Sequence, residues 1–211
     1  MQLTKLGHAC VWLEKDGARL VIDPGVWSGP GMLADADAVL VTHEHPDHLD
    51  ADAVRSALAA NPSLQLWANA SVTGQLGDFG VQVHAVGHGD SFTAAGFDVH
   101  VYGRDHARIV PEIPVIANTG FAVDGQVFHP GDSFTLPEEK VATVLVPVSA
   151  PWLKFAEVSE FIAAAGAARG FAIHDAVLSD FGVGLVSTLL GVVSPPDAPV
   201  TRLAPGTTVN L

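Results

Sequence analysis

Residues 42–48 read Thr-His-Glu-His-Pro-Asp-His, a stretch that places four candidate metal ligands within six residues. The stretch follows Ala38–Thr42, an apolar run typical of a β-strand that is covered on both faces. The alternative is a surface turn that is rich in histidine by chance, but such residues rarely cluster outside metal sites. The stretch therefore predicts a metal centre at the end of a buried strand.

The spacing within this stretch favours two metal ions over one. His43 and His45 share one side of an extended backbone, because side chains alternate with period two. Pro46 interrupts the strand and turns the chain, so Asp47 and His48 can point toward a second centre. Three imidazoles and one carboxylate suit zinc, iron or manganese.

The composition predicts a folded, cytoplasmic protein. With 211 residues, 48% of them hydrophobic and 16% charged, the chain is expected to form one domain, or two small pseudo-repeated halves, around a shared core. The net charge of −13 argues against nucleic-acid binding, which needs clustered lysine and arginine. The N-terminal residues lack the pattern of a secretory signal, and the apolar stretches are too short to span a bilayer. The single cysteine, Cys10, cannot form an internal disulfide and is expected to be a small buried hydrophobic residue.

Alternating apolar residues and turn signals predict a first series of short strands. Asp16-Gly17 supplies a tight hairpin turn. A helix over Ala53–Ala60 could be capped by Asp50 or Asp52, and a helical turn is expected near Ser71–Leu76. The expected strands are Gln2–Leu6, Ala9–Glu14, Arg19–Ile22, Ala38–Thr42, Leu64–Trp67, Val81–Val86, Ser91–Thr93 and Phe97–Tyr102.

A second series begins near Asn118 and echoes the first. Its expected elements are strands at Gly120–Val123, Gln126–His129, Thr143–Val148, Phe171–Ile173 and Val200–Leu203, with helices at Ala156–Ala168 and Val183–Leu190. The dipeptides and short runs Asp16-Gly17, Asp23-Pro24-Gly25 and Val39–Val41 recur as Asp124-Gly125, His129-Pro130-Gly131 and Val144–Val146. Either chance or an internal duplication, with halves at about 1–117 and 118–211, explains matches this short. A duplication would give two β-sheets packed face to face, one sheet per half, with helices outside.

The motif His-x-His-x-Asp-His at 43–48 resembles the signature of the metallo-β-lactamase fold superfamily. The segments Leu6–Ala9 and Ile22–Pro24 are further similar to a short branch that contains ascorbate-6-phosphate lactonase-like proteins and metal-dependent hydrolases. The resemblance covers nearly the whole chain. It implies a single α/β (α+β) domain over residues 1–211, built as a four-layer αββα sandwich of two mixed β-sheets with helices on both outer faces.

The same resemblance implies three more metal ligands. A histidine after the central strands is matched by His106, a Gly-Asp pair at a strand end by Asp132, and a final histidine by His174. The implied arrangement has His43, His45 and His106 on one ion, Asp47, His48 and His174 on the other, and Asp132 between the two. Asp175-Ala176 departs from the pattern, because many relatives carry an aromatic residue or glycine there.

Three other histidines compete with His106 for its role. His84 and His100 lie within strand-like alternation and are expected to be structural, since buried histidine usually finds a hydrogen-bond partner. His88 lies in a turn and would be the substitute ligand if the match of His106 to the family pattern is wrong.

Further residues are expected around the metals rather than on them. His8 and His129 are expected either to support the ligands or to pack in the core, and Asp23 either to orient a ligand histidine or to form a turn. Trp27 and Trp152 either line the substrate pocket or cover the edge of the core. The same two alternatives hold for other loop residues: 110–118, Phe134 and 151–155, with Arg104, Arg108 and Lys154 as candidate anion-binding residues.

These residues together predict a hydrolase. Two divalent ions, zinc first and manganese or iron as alternatives, would lower the pKa of a shared water from 15.7 toward roughly 7, so that hydroxide attacks the substrate. The resemblance implies that Asp47 holds this nucleophile and moves its proton. A small ester or lactone is the expected substrate, a phosphodiester is the alternative, and an iron-dependent redox protein is a third reading, although such relatives usually carry Glu where this chain has His45. The expected partner is a small-molecule substrate, with neither nucleic acid nor membrane, and a homo-oligomer stays open.

Overall fold

The computed structural model describes residues 1–29 and 31–211, which form two seven-stranded β-sheets. The strands are β1 (Gln2–Gly7), β2 (Cys10–Lys15), β3 (Ala18–Ile22), β4 (Ala38–Val41), β5 (Gln65–Ala68), β6 (Val83–Ala85), β7 (Ser91–Ala94), β8 (Phe97–Tyr102), β9 (Gly120–Val123), β10 (Val127–His129), β11 (Thr143–Pro147), β12 (Arg169–Ile173), β13 (Val200–Arg202) and β14 (Thr208–Asn210). The first sheet has the order β14-β1-β2-β3-β4-β5-β6 and the second β13-β12-β11-β10-β9-β8-β7.

Turn residues and burial explain how the strands of the first sheet are joined. β2 and β3 meet at Asp16-Gly17, where φ is +53° and +86°, as a two-residue hairpin turn requires. β3, β4 and β5 then run parallel. β4 is buried along its whole length, as expected for a strand inside a parallel arrangement.

Four helices complete the fold, and side-chain caps fix where three of them begin. The helices are α1 (Ala51–Ala60), α2 (Ala70–Leu76), α3 (Phe155–Ala165) and α4 (Asp180–Val193). The carboxylate of Asp50 accepts from the Ala53 amide and caps α1, which decides between the two predicted caps. Asn69 caps α2 and Ser179 caps α4 in the same way. Among the described residues no helix combines the length and apolar character that crossing a bilayer requires.

Three apolar layers hold the elements together. The central layer lies between the sheets and contains residues such as Leu40 and Phe121, while α1 and α2 pack on the first sheet through residues such as Leu58. On the second sheet, α3 and α4 pack through residues such as Phe161 and Leu190. Full burial of one such side chain contributes about 1.5–3 kcal/mol. The predicted four-layer αββα sandwich is confirmed.

The division between the sheets corrects one expectation from the sequence. β7 and β8 precede residue 117 but belong to the second sheet, while the C-terminal β14 returns to pair with β1 in the first. The expectation of one sheet per half is therefore wrong, because the chain changes sheets between Ala85 and Ser91. The internal duplication itself stays a prediction.

Several element boundaries also differ from the prediction. α3 ends at Ala165 because Gly166 adopts a left-handed φ of +56°. α4 starts at Asp180 because Ser179 caps it there. The segment expected as one strand at 81–86 begins as a 3-10 turn, Gly80–Gln82. β14 escaped prediction because three exposed or half-buried residues carry little pattern.

Candidate metal centre

The candidate ligands converge because six strands end at the same edge of the sandwich. β1, β3 and β4 run in one direction within the first sheet, and β8, β10 and β12 do so within the second. The residues that follow these strands are His8, Asp23, the 43–48 turn, His106, Asp132 and His174. Residues as far apart in the chain as His8 and His174 therefore share one site.

The first cluster consists of His43, His45, His106 and Asp132, whose ligand atoms all lie within 4.8 Å of one another. The Nε2 atom of His43 is 3.2 Å from Nδ1 of His45, and Nε2 of His106 is 3.3 Å from Oδ2 of Asp132. The first sheet supplies the first two residues and the second sheet the others. The three histidines are those that the sequence assigned to one ion.

The second cluster consists of His8, Asp47, His48 and His174, again within 4.8 Å. Nε2 of His174 is 3.4 Å from Oδ2 of Asp47. Asp132 lies between the clusters, because its Oδ1 is 3.0 Å from Nε2 of His48 and its Oδ2 is 3.0 Å from Nε2 of His174. The seven residues named as ligands from the sequence are thus brought together, and His8 joins them.

Hydrogen bonds outside the cluster turn the ligand imidazoles so that Nε2 faces inward. Nδ1 of His48 donates to Oδ2 of Asp23 (2.6 Å), Nδ1 of His174 to the Ser149 carbonyl (2.6 Å), and Nδ1 of His106 to the Ala107 carbonyl (2.5 Å). A neutral imidazole that donates from Nδ1 has its lone pair on Nε2. These three Nε2 atoms are buried and have no hydrogen-bond partner among the described residues, and the same holds for Oδ1 of Asp132.

These orphaned atoms fit a metal ion. A buried polar atom without a partner costs about 1–3 kcal/mol, so four such atoms that face one another would be strongly destabilising unless a ligand satisfied them. Imidazole nitrogens and carboxylate oxygens are the donors that zinc and other divalent transition metals prefer. The residues present therefore suit two divalent ions, one in each cluster.

Charge in the site favours a positive centre. Burial opposes ionisation of Asp132, yet its pKa is held well below the usual range by the imidazoles of His48, His106 and His174, whose Nε2 atoms lie 3.0–3.3 Å from its carboxylate. Burial likewise lowers the pKa of His174, but the carboxylates of Asp132 and Asp47, which lie 3.0 and 3.4 Å from its Nε2, outweigh burial and raise the pKa to about 9. The carboxylates therefore attract positive charge, whether it comes as protons or as metal ions.

Asp23 and Thr42 fix the 43–48 turn through hydrogen bonds to each other and to its histidines. Oδ1 of Asp23 accepts from the Thr42 amide (2.7 Å), and its Oδ2 accepts from the Thr42 hydroxyl (2.7 Å) and from His48. Because that hydroxyl donates to Asp23, it accepts from Nδ1 of His43 (3.0 Å), which leaves Nε2 of His43 free for the centre. Of the two roles expected for Asp23, the structure shows the first: its carboxylate orients His48, a candidate ligand.

Close backbone approaches require glycine at two places. A Cβ at Gly25 would overlap the carbonyl of Asp47, so the loop after Asp23 packs directly against the ligand turn. A Cβ at Gly131, whose φ is +64°, would overlap the side chain of Asn118. That amide accepts from the Asp132 backbone N–H (2.9 Å) and sets the position of the central carboxylate.

Of the remaining residues that the sequence suggested, Trp27 and Trp152 contact members of the clusters, whereas His129 and Phe134 lie outside them. Trp27 packs edge-on against His8 at 4.8 Å between ring centroids, and the indole N–H of Trp152 donates to Oδ2 of Asp132 (2.9 Å). His129 is buried behind the site, where it donates to the Ala9 carbonyl (2.9 Å) and accepts from the Gly131 amide, so it lies outside both clusters and holds the turn that precedes Asp132. Phe134 packs on Trp152 at 5.2 Å.

The competing histidines lie away from both clusters. His84 bonds to Gln65 (2.8 Å) and stacks on Trp67, and His100 bonds to Glu139 (2.8 Å). His88 lies 6.3 Å from Tyr102, between ring centroids, and belongs to neither group of ligand atoms. His106 therefore occupies the position for which they competed.

Sequence reasoning missed three residues that hold the site together. Lys5 is 1% exposed and binds Oδ1 of Asp175 (3.0 Å), and Arg202 binds Oδ2 of the same carboxylate (2.6 Å). Asn118 is the third. The sequence gives no signal for Lys5, which lies in a strand of mixed polar and apolar residues, and none for Asn118.

Comparisons with a family model, with related sequences and with solved structures all indicate the same family. The model of the beta-lactamase superfamily domain matches residues 2–169. Protein Rv0786c of Mycobacterium tuberculosis is 37% identical over 191 residues, which cover 88% of this chain and 89% of that protein. A UPF0173 metal-dependent hydrolase of Flavobacterium johnsoniae is 28% identical over 144 residues, covering 63% of this chain and 62% of the relative. The structure of Igni18, described as a metallo hydrolase of Ignicoccus hospitalis, superposes with a TM-score of 0.74 at 19% identity, covering 99% of this chain and 97% of Igni18.

Proposed function

This chain belongs to the family of the beta-lactamase superfamily domain, and on that premise we propose that it is a metal-dependent hydrolase of a small ester or lactone. The observation that carries the proposal is the set of buried, unpartnered Nε2 and Oδ1 atoms that face one another at the seam of the two sheets. Similar proteins include the UPF0173 metal-dependent hydrolase of Flavobacterium johnsoniae, which supports the same reaction type.

We assign one divalent ion to each cluster, with zinc as the first candidate and manganese or iron as alternatives. His43, His45 and His106 would hold the first ion, Asp47, His48 and His174 the second, and Asp132 would contact both. When bound, such a pair of ions activates water and polarises the substrate oxygen.

The protein residues then orient the reactants. Asp47 is half-buried in the second cluster, and the adjacent imidazole of His174 together with the hydrogen bond from His8 overcomes burial and keeps its pKa well below the usual range. It therefore stays an anion that can accept a hydrogen bond from the attacking water. If Asp47 has this role, Asp47→Asn saturated with zinc should lose turnover even when both ions are bound, and intact turnover at full metal content would remove the role.

The surroundings favour an uncharged substrate. Large apolar side chains are exposed in the segments that follow site residues along the chain: Trp27 (48%), Val110 (41%), Ile113 (46%) and Val177 (56%) lie in loops, and Phe181 (92%) lies in the first turn of α4. Trp27 contacts His8 directly, and an exposed apolar side chain beside a polar centre is typical of a ligand-binding surface. A neutral ester or lactone with an apolar body suits this surface, and the net charge of −13 disfavours a strongly anionic substrate.

A phosphodiester is the second candidate, and two arginines favour it. Arg104 and Arg108 flank His106, both are exposed, and neither is ion-paired with a carboxylate among the described residues. Guanidinium groups bind phosphate oxygens with two parallel hydrogen bonds. Double replacement with glutamine should leave lactone turnover unchanged and raise KM for a phosphodiester only if this second candidate is correct.

The decisive test combines metal content with a substrate panel. Protein stripped by a chelator and reloaded with zinc should bind two ions per chain and hydrolyse generic lactones or p-nitrophenyl esters faster than bis-p-nitrophenyl phosphate. His174→Ala should lose one ion and most activity, whereas the matched control His100→Ala, which changes a histidine outside both clusters, should lose neither. Wild-type protein that binds no divalent ion would refute the proposal.

A further inference from the structure

His8 belongs to the second cluster by distance, but its hydrogen bonds differ from those of the other histidines there. Its Nε2 is 3.0 Å from Oδ2 of Asp47, and its Nδ1 is 3.2 Å from the backbone nitrogen of Ala176. Both ring nitrogens thus have partners, whereas Nε2 of His48 and of His174 has none among the described residues.

The partner of Nδ1 decides where the proton of His8 lies. A backbone N–H can only donate, so Nδ1 of His8 must accept from Ala176 and carries no proton. A neutral imidazole has one N–H, which is then on Nε2 and points at the carboxylate of Asp47. Nδ1 of His48 and of His174 donates instead, so the neutral form of each ring has the opposite tautomer, with the lone pair on Nε2. His8 therefore offers a proton where they offer a lone pair.

Several contacts lock His8 in this state. The ring is 1% exposed and packs between Trp27 and His174, at centroid distances of 4.8 and 4.0 Å. Its backbone φ of +42° lies in the left-handed region, and its carbonyl accepts from the His174 amide (3.0 Å). The two segments that carry these residues are thus tied together by two hydrogen bonds, one from His174 and one from Ala176.

A buried ion cluster fixes the Ala176 amide. Asp175, the residue before it, is 3% exposed and is held by Nζ of Lys5 (3.0 Å) and Nε of Arg202 (2.6 Å). Lys5 also donates to the Ala172 carbonyl (3.1 Å), so β1 is fastened to β12 beside the site. The two charges on either side of Asp175 hold the 174–176 backbone at a defined distance from His8.

We propose that His8 is a positioning residue and not a metal ligand: its Nε2–H orients the carboxylate of Asp47 toward the second ion, and the Lys5–Asp175–Arg202 cluster maintains that proton on Nε2 through the Ala176 amide. This inference rests on the proposed function, because it assigns a role within the second metal site. Carboxylates that bind metals are themselves held by hydrogen bonds, and loss of such a bond costs about 10- to 100-fold in metal affinity.

Two substitutions separate a positioning residue from a ligand. His8→Phe keeps an aromatic ring against Trp27 and His174 but removes the donor, and His8→Gln restores a donor near the position of Nε2. We expect His8→Phe to bind the second zinc ion about 10- to 100-fold more weakly in competition with a chelator. It should still reach two ions per chain at saturating zinc, and His8→Gln should recover most of the affinity.

Cobalt absorption and nitrogen NMR provide readouts that do not depend on turnover. The visible spectrum of the Co²⁺-saturated protein should be the same for wild type and His8→Phe, since no ligand is lost. Long-range ¹⁵N spectra of wild type should show His8 protonated on Nε2, and Asp175→Asn should weaken the second zinc site in the same direction as His8→Phe, by a smaller factor.

Three outcomes would overturn the proposal. His8→Phe that binds one ion at saturation with a changed cobalt spectrum would make His8 a ligand, and unchanged zinc affinity would give it no role. An Nδ1 proton on His8 in the wild-type ¹⁵N spectra would contradict the proposed Nε2–H tautomer. This measurement uses wild-type protein, so it does not depend on whether any variant folds. Wild type that binds no ion refutes the proposed function, whereas two ions with an insensitive His8→Phe refute only this inference.

Discussion

Replacing Asp23 by asparagine should weaken metal binding although Asp23 touches no ion. The carboxylate is fully buried and accepts three hydrogen bonds, from the Thr42 amide, the Thr42 hydroxyl and Nδ1 of His48. An amide group in its place must point its NH2 toward one set of these donors. The Thr42 hydroxyl can rotate and accept instead, but the backbone amide cannot.

The NH2 group is therefore expected to face His48, which has to accept through Nδ1. The proton of His48 then moves to Nε2, the atom that lies 3.0 Å from Asp132 and faces the second cluster. Loss of the supporting carboxylate costs about 10- to 100-fold in metal affinity, which is about 1.4–2.7 kcal/mol. Removing a charged hydrogen-bond acceptor from this buried position should further lower the free energy of unfolding by about 1–3 kcal/mol.

Zinc competition with a chelator and urea unfolding of the stripped protein measure the two effects separately. Asp50→Asn is the matched control, because asparagine caps a helix as well as aspartate does and the Asp50 carboxylate bonds to the Ala53 amide of α1 and to none of the cluster histidines. Wild-type zinc affinity in folded Asp23→Asn would refute the reasoning, since it would mean that the tautomer of His48 does not depend on Asp23.

Further predictions concern packing, thiol reactivity and the exposed surface. Gly25→Ala should lower the free energy of unfolding by at least about 1–3 kcal/mol in urea titrations, because its methyl group overlaps the Asp47 carbonyl. Burial raises the pKa of the Cys10 thiol to about 12, so native protein at pH 8 should resist iodoacetamide by mass spectrometry while unfolded protein reacts. Phe181→Ser, at a side chain that is 92% exposed, should change stability by less than about 0.5 kcal/mol but raise KM for apolar esters if Phe181 contacts substrate.

Local patterns account for the part of the site that the sequence predicted. The side-chain directions in the 43–48 turn can be predicted from its six residues alone, since alternation and one proline determine them. His106, Asp132 and His174 follow strands that run the same way, and the family pattern distinguishes His106 from its rivals. Strand ends that share an edge bring such residues together whatever their separation in the chain.

Contacts between distant segments account for what was missed. Lys5 and Asp175 meet only because β1 lies over the end of β12. The sequence around either residue contains no pattern that predicts this pairing. Asn118 sets Asp132 through a backbone amide, a contact that requires the left-handed turn at Gly131. Such pairs depend on the register between the two sheets, which short-range periodicity does not determine.

The position of the site couples metal binding to the packing of the sheets. Each cluster takes ligands from both: His43 and His45 meet His106 and Asp132, and the Asp47–His48 pair meets His174. Because binding to the folded state alone adds to stability, an ion in either cluster would hold the two sheets together at their edge. The same ion would also reduce the electrostatic repulsion between the carboxylates, since close negative charges repel unless a cation lies between them. The residues that prepare the chemistry are therefore also residues whose placement depends on both halves of the sandwich being correctly packed.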